Sequence, residues 1–289
     1  MTKHALTRPK GAGRRVAFAA GVATLLALGQ PAFAQQADST TAAAEQNRKE
    51  ADEIVQGMAR FVGGQQDISL GYDSELEVVT PQMEKLQFNS SGKAKISRPD
   101  KFRLNRTGGY ADVEMIYDGK NVTVFDKNTN TYASEPMTGP IEGVIDRLRS
   151  DFMLDLPAAD LLIADSYSAL MPDVVEAKHI GRAVIGDVTC EHVAFRNHDT
   201  DWQLWVETGA QPIPCKMVIT SKAVTGAPQY SIRFTSWHTG SAFPPGTFTF
   251  EPPAGAKKVD FSALADIDEI PAGTAMPSDA VAPKAGASK

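Results

Sequence analysis

Hydrophobic and polar positions change period three times along this chain, and each change marks a change of element. A polar, Ala/Thr-rich stretch from Gln35 to about Gln46 shows no period and is expected to be a flexible leader. Ile54, Met58 and Phe61 then recur at helical spacing with Val55 and Val62 beside them, and Gly63-Gly64 closes this helix. From Asp67 the period becomes two. Strands are expected over Ile68–Thr80, Met83–Asn89, Lys93–Arg98 and Lys101–Arg106, with Asn89-Ser90-Ser91-Gly92 as a turn between two of them. Asp118-Gly119, between Glu114–Tyr117 and Val122–Phe125, predicts a tight hairpin, and Asn128-Thr129-Asn130 turns the chain back toward Tyr132.

The middle of the chain returns to helical spacing over Pro140–Met153 and Ala158–Met171, with Asp155 and Pro157 dividing the two. Ile141, Val144, Ile145, Leu148 and Phe152 share one face. Strands resume at Arg182–Ile185, Thr189–Arg196, Trp202–Glu207, Lys216–Ser221 and Tyr230–Trp237, and Phe248–Phe250 before Pro252-Pro253 reads as a short final edge strand. Helices inserted between two sets of strands define an α+β class. About ten antiparallel strands in one sheet will curl rather than stay flat, here around the helices.

The start of the chain obeys neither period. Lys3, Arg8, Lys10, Arg14 and Arg15 precede an apolar run from Val16 to Leu28, and Ala32-Phe33-Ala34 ends it in small residues. That order predicts a secretory signal peptide over residues 1–34, cleaved between Ala34 and Gln35, and hence a periplasmic protein. The run is thirteen residues long, whereas a membrane span needs about 18 or more, and no later stretch supplies one. Arg14-Arg15 leaves general and twin-arginine export both open. Residues 47–261 are expected to form a single domain, and 262–289, rich in Ala and Pro, a disordered tail.

Removing the leader sharpens the charge. It holds 5 of the 29 basic residues and none of the 35 acidic ones, so the rest carries 24 basic residues against 35 acidic, a net −11. Such a chain repels phosphate backbones and anionic lipid surfaces, which argues against nucleic acid as a partner, and none is expected. Cys190 and Cys215 are the two cysteines, an even number suited to an oxidising compartment. If Arg196 pairs with Trp202, Cys190 lies opposite Thr208. Pairing of Thr208 with Cys215 would then leave the cysteines two strands apart, about 9–10 Å, beyond the reach of about 7 Å that a disulfide allows. Pro212 and Pro214 could curl the connection enough to close it, so the bond stays open at this point.

Catalytic signatures are sparse. His179, His192, His198 and His238 show no metal-protease spacing, and Asp187, His198, Asp199 and Asp201 imitate a metal site but read better as polar hairpin tips. Ser90 and Lys93 fit S-x-x-K, yet in a strand and turn rather than at a helix start, and without the companion motifs. No phosphate loop, dinucleotide fingerprint or nucleophile elbow is present, and no cofactor or metal is expected. The remaining enzymatic option is a polar site near His192 and His198 with Asp199 and Asp201.

Several motifs in order resemble one known family. Leu86-Gln87-Phe88 through Arg98-Pro99-Asp100-Lys101-Phe102-Arg103 is similar to it, as are Tyr117-Asp118-Gly119-Lys120 and Asp155-Leu156-Pro157-Ala158-Ala159-Asp160-Leu161-Leu162. Cys190–Arg196, Asp201–Glu207, Pro228-Gln229-Tyr230 and Phe248–Pro253 extend the likeness over about Ala51 to Val259. The family is an exported bacterial domain of unknown function, number 2092, grouped with the outer-membrane lipoprotein carrier (LolA/LolB-like) fold. The resemblance implies a strongly curved, incompletely closed antiparallel β-barrel with helices covering the concave side, whose hollow takes acyl chains. It implies no established activity.

One side-chain parity must face that concave side. The parities richest in bulky apolar residues are Leu86/Phe88, Phe102/Leu104, Val193/Phe195, Trp202/Leu204/Val206, Met217/Ile219 and Ile232/Phe234. They are the expected lining for a lipid or other hydrophobic ligand, beneath the helices around Ile145, Leu148 and Phe152. Filling an ordinary closed core is the competing expectation. A third is an envelope scaffold that binds another cell-envelope protein along a sheet edge.

Overall fold

The computed structural model describes residues 32–154 and 156–264, with 270 and 274. Most of the expected leader and of the Ala/Pro-rich tail therefore lies outside the described residues. The chain divides into two compact units, Met1–Thr41 and Ala42–Lys289. The first is described only as the opening turns of a helix, and the account below concerns the second.

That helix, α1 (Ala32–Gly63), takes in the stretch expected as a flexible leader and the expected cleavage point. The physical reason is composition: from Ala32 to Gln56 no Gly or Pro interrupts a run rich in Ala, Gln and Glu, all strong helix formers. Two further helices follow, α2 (Ile141–Phe152) and the short α3 (Ser166–Leu170). The second expected helical stretch is thus broken. Only a single 3-10 turn at Ala159–Leu161 and then α3, capped by the Asp165 carboxylate accepting from Ser168 N–H, are formed within it.

Twelve strands among the described residues make one sheet: β1 (Asp67–Val79), β2 (Lys85–Ser97), β3 (Lys101–Gly108), β4 (Asp112–Tyr117), β5 (Asn121–Asp126), β6 (Thr131–Pro136), β7 (Glu176–Ile185), β8 (Val188–Arg196), β9 (Thr200–Glu207), β10 (Pro214–Ser221), β11 (Gln229–Thr239) and β12 (Lys257–Lys258). Their order is β12-β6-β5-β4-β3-β2-β1-β11-β10-β9-β8-β7. Two meanders, β1 to β6 and β7 to β11, are joined where β1 pairs antiparallel with β11, Ile68 opposite Thr239. Only the two-residue β12 runs parallel to its neighbour. The α+β sheet is not closed by hydrogen bonds: β7 and the β6/β12 edge remain its ends, and α2 and α3 lie in the connection between them.

The Asp118-Gly119 hairpin forms as its chemistry requires. Asp118 Oδ1 accepts from the N–H groups of Lys120 and Asn121 at 2.8 and 2.7 Å, and Gly119 takes a φ of 94°. The expected turn at Asn89–Gly92 is absent, and β2 runs straight through it. A Cβ on Gly92 would meet the Asn105 carbonyl oxygen at 2.2 Å and the Tyr72 ring at 2.4 Å. Glycine therefore serves close approach inside a strand, not a bend. Phe248–Phe250 is not a strand either. Its alternation arises from packing: Phe248 meets Phe243, and Phe250 meets Phe125 and Tyr132. The segment straps the outer side of the first meander, where Arg103 donates to the carbonyls of Thr247 and Thr249 at 3.0 and 3.4 Å.

The core lies on the other side of the sheet. Ala51, Val55, Met58 and Val62 form the buried stripe of α1, and Ile141, Val144, Ile145 and Leu148 that of α2. Both stripes join one cluster with Ile68, Ile96, Phe102, Tyr117, Val122 and Val124 from the first meander.

Candidate functional site

Most of the expected lining lies on the core side of the sheet. Phe102, Val193, Phe195, Trp202, Leu204, Val206, Met217 and Ile232 are buried in the cluster that α1 and α2 share, and Leu104, Ile219 and Phe234 pack against it half-buried. Register explains the coherence: Phe195 stands opposite Trp202, Val193 opposite Leu204, Leu204 opposite Met217, and Met217 opposite Ile232. Leu86 and Phe88 fall outside the cluster. Leu86 is 40% exposed, and Phe88 packs edge-on against Tyr110 with ring centroids 5.8 Å apart. Their parity matches that of Ala94 and Ile96, but they sit at the start of β2, beside the exposed β1–β2 turn and away from the helices.

The cysteines lie closer than simple pairing suggests. Arg196 faces Asp201 rather than Trp202, and Cys190 faces Glu207 rather than Thr208. β10 then breaks register between Pro214 and Lys216, so Cys215 sits in a bulge. The Cα atoms are 7.1 Å apart and the pair is bonded across the end of β9. The bond closes a loop with a sequence separation of 25. Replacing both cysteines with Ser should cost about 3 kcal/mol of stability by loop-closure entropy, read in urea melts of both proteins without reductant.

The polar residues expected as an enzymatic option do not converge. His192 lies mid-strand, stacked on Trp205 at 4.2 Å with its Nε2 3.0 Å from Gln203 Oε1. Burial holds its pKa below the usual histidine value, with the charge of His179 adding to the effect. His198 and Asp199 are exposed at the β8–β9 turn, and Asp201 pairs with Lys222 at 2.7 Å. Asp187 is at the opposite end of β8, about 30 Å of strand away at the ordinary rise. No metal-holding group forms among the described residues. Ser90 Oγ is buried against Ser74 Oγ at 2.8 Å, while Lys93, three positions on, points to the other face and is exposed.

A different polar cluster, one that the sequence pattern does not signal, sits at the rim of the core. His179 on edge strand β7 places Nδ1 3.1 Å from Glu50 Oε2 on α1 and Nε2 2.9 Å from Glu191 Oε2 on β8. Arg182 Nε donates to Glu191 Oε1 at 3.0 Å. Burial works against the charged imidazole, but hydrogen bonds to Glu191 and Glu50 and their charges outweigh it, and the pKa of His179 is raised. Hydrogen bonds from Gln46 and His179 hold Glu50 below the usual carboxylate range. Burial pushes Glu191 upward, yet the bonds from His179 and Arg182 prevail and lower it. Two open clefts flank this part of α1. One, of about 390 Å³, lies among Arg48, Asp52, Tyr167 and Met171; the other, of about 280 Å³, lies among Ile54, Arg182, Glu191 and Val206.

These features define an incompletely closed α+β barrel whose apolar concave side is covered by helices. The chain belongs to the family described as predicted periplasmic protein, domain of unknown function 2092, whose model matches residues 51–262. It is thus a periplasmic protein by family, as the motifs and the leader suggest. No curated protein matches it in sequence. Among solved structures it is similar to LprF from Mycobacterium bovis, at 16% identity over 68% of this chain and 96% of that one, with a TM-score of 0.43. An uncharacterized conserved protein from Thermus thermophilus gives 10% identity over 73% and 99%, with a TM-score of 0.41. The lipoprotein LppX from Mycobacterium tuberculosis gives 11% over 68% and 99%, with a TM-score of 0.39.

Proposed function

We propose that this protein, exported by its N-terminal signal peptide, binds or carries a lipid, an acyl chain or another hydrophobic ligand on the concave side of its sheet, without catalysis. The observation that carries the reading is the cover of that side. The apolar row from Phe195 through Leu204 and Met217 to Ile232 is buried in one cluster with the apolar stripes of α1 and α2. A helix held by one apolar stripe can part from a sheet without breaking the sheet's own hydrogen bonds, and an acyl chain can replace that stripe's contacts in kind. Dispersal of His192, His198, Asp199 and Asp201 supports a non-catalytic role.

The test is direct. Protein purified from the envelope is extracted with solvent for lipid mass spectrometry, and the stripped protein is titrated with a fluorescent fatty acid. Co-purified lipid or saturable, displaceable binding is the expected result. Finding neither would remove the proposal. A stoichiometric envelope protein captured in place of lipid would favour the scaffold reading instead.

A further inference from the structure

The apolar stripe of α1 is buried in the core cluster. The polar ties of the helix include the Tyr167 hydroxyl donating to Asp52 at 2.6 Å, Arg98 Nη2 donating to the Val62 carbonyl at 3.3 Å, and a set of contacts to the edge strand β7. Asn47 Nδ2 donates to the His179 carbonyl at 2.7 Å, and His179 N–H donates to Asn47 Oδ1 at 3.0 Å. The amide thus does for the open edge of β7 what a neighbouring strand would do. One turn further along α1, Glu50 reaches the His179 ring, whose other nitrogen reaches Glu191. A neutral imidazole carries one N–H, so it can donate to only one of two carboxylates while its bare nitrogen faces the lone pairs of the other. An imidazolium satisfies both. The geometry is that of a bound proton.

We propose that His179 is a proton-operated latch on α1: charged, it clamps the helix over the concave side; neutral, it releases Glu50 and loosens that part of the helix.

The charged groups around the ring are few. From α1 come Glu50 and, at the adjoining cleft, Glu53, which is drawn toward Lys49 at 3.6 Å. From β8 come Glu191 and His192, and from β7 Arg182, which is already bound to Glu191, and Lys178, which is paired with Glu176 at 2.8 Å. The carboxylates nearest the ring dominate, and the sign follows. Because the folded-state pKa of His179 is raised, its contribution is complete below the ordinary histidine value and is lost as pH rises through the raised one. On the acid side, Glu50 and Glu191 are both lowered, so the clamp persists until pH falls through those depressed values. The latch therefore opens on the alkaline side.

If α1 covers the ligand side, a consequence that rests on the carrier reading, the latch sets access to it. The latch itself is testable without ligand. Amide hydrogen exchange of the full mature chain, compared at about pH 6 and about pH 8.5, should show protection over residues 47–62 falling about tenfold relative to β4 and β5, the factor of one ordinary charge-assisted hydrogen bond. In His179→Gln, protection of that segment should be low at both pH values. Glu50→Gln, which leaves the bond to Glu191 in place, supplies the same comparison should His179→Gln not fold. Unchanged protection in the wild type, or an equal pH response in the variant, would overturn the latch. Fatty-acid titration of the same samples separates the two ideas. If α1 loosens but fatty acid never binds, the latch stands and the carrier reading fails. If binding occurs and α1 is insensitive to pH, only the latch fails.

Discussion

Leu204→Ala should lower the unfolding free energy by about 2–5 kcal/mol, whereas Phe88→Ala should cost no more than about 1 kcal/mol. Both residues share the parity expected to face the concave side. Leu204 is fully buried between Val193 and Met217, so truncation removes its transfer energy and leaves a void that strand neighbours cannot fill. Phe88 meets Tyr110 at the rim, where water can take the vacated space. Urea melts of the two variants check the contrast. The same pair also probes how tightly the concave side is packed. A small loss at Leu204 accompanied by loss of fatty-acid binding would mean that free volume already exists beneath α1. A large loss with binding unchanged would mean that the ligand sits elsewhere.

Gly92→Ala should be about as damaging, near 3 kcal/mol, at the upper end for overpacking. The added carbon would lie 2.2 Å from the Asn105 carbonyl oxygen, a backbone atom that cannot rotate away, and 2.4 Å from the Tyr72 ring. Either β2 and β3 part, or Tyr72 leaves the wall and gives up its hydrogen bond to the Asn105 carbonyl at 3.1 Å. Gly57→Ala is the control. A Cβ there meets nothing within 4 Å, and Ala in a helix is worth about 0.5–1 kcal/mol over Gly, so that variant should be the more stable one. Thermal melts of both side by side test the assignment of Gly92 to a strand.

What the sequence made legible was local chemistry and period. Asp118-Gly119 declares its hairpin because one carboxylate and one glycine suffice to build the turn. α2 was readable because Ile141, Val144, Ile145 and Leu148 recur on one face. The misreadings share a cause, in that identical residues serve non-local ends. Asn89-Ser90-Ser91-Gly92 has turn composition, yet Ser90 reaches Ser74 and Gly92 makes room for Tyr72, partners 16 and 20 positions earlier. Phe248–Phe250 alternates like a strand because aromatic rings from β5 and β6 receive it. The rim cluster was the least visible. His179 meets Glu50 across 129 positions, and no spacing rule connects them. Asn47 and Glu50 on one helix face are the only hint, and they look like ordinary solvent-facing residues.

The union of the two meanders through β1 and β11 also governs when this molecule can exist. Hairpins such as β4–β5 can form as soon as they emerge during synthesis, being local and cheap in loop entropy. β1 must wait for its second neighbour until residue 239 has appeared, with more than half the chain between them. Until then Leu70 and Tyr72 border an open edge, and α1 has only part of its seat. Closure should therefore come late and slowly, as topologies dominated by distant pairing do, leaving an interval in which the nascent protein depends on whatever shields an unpaired strand.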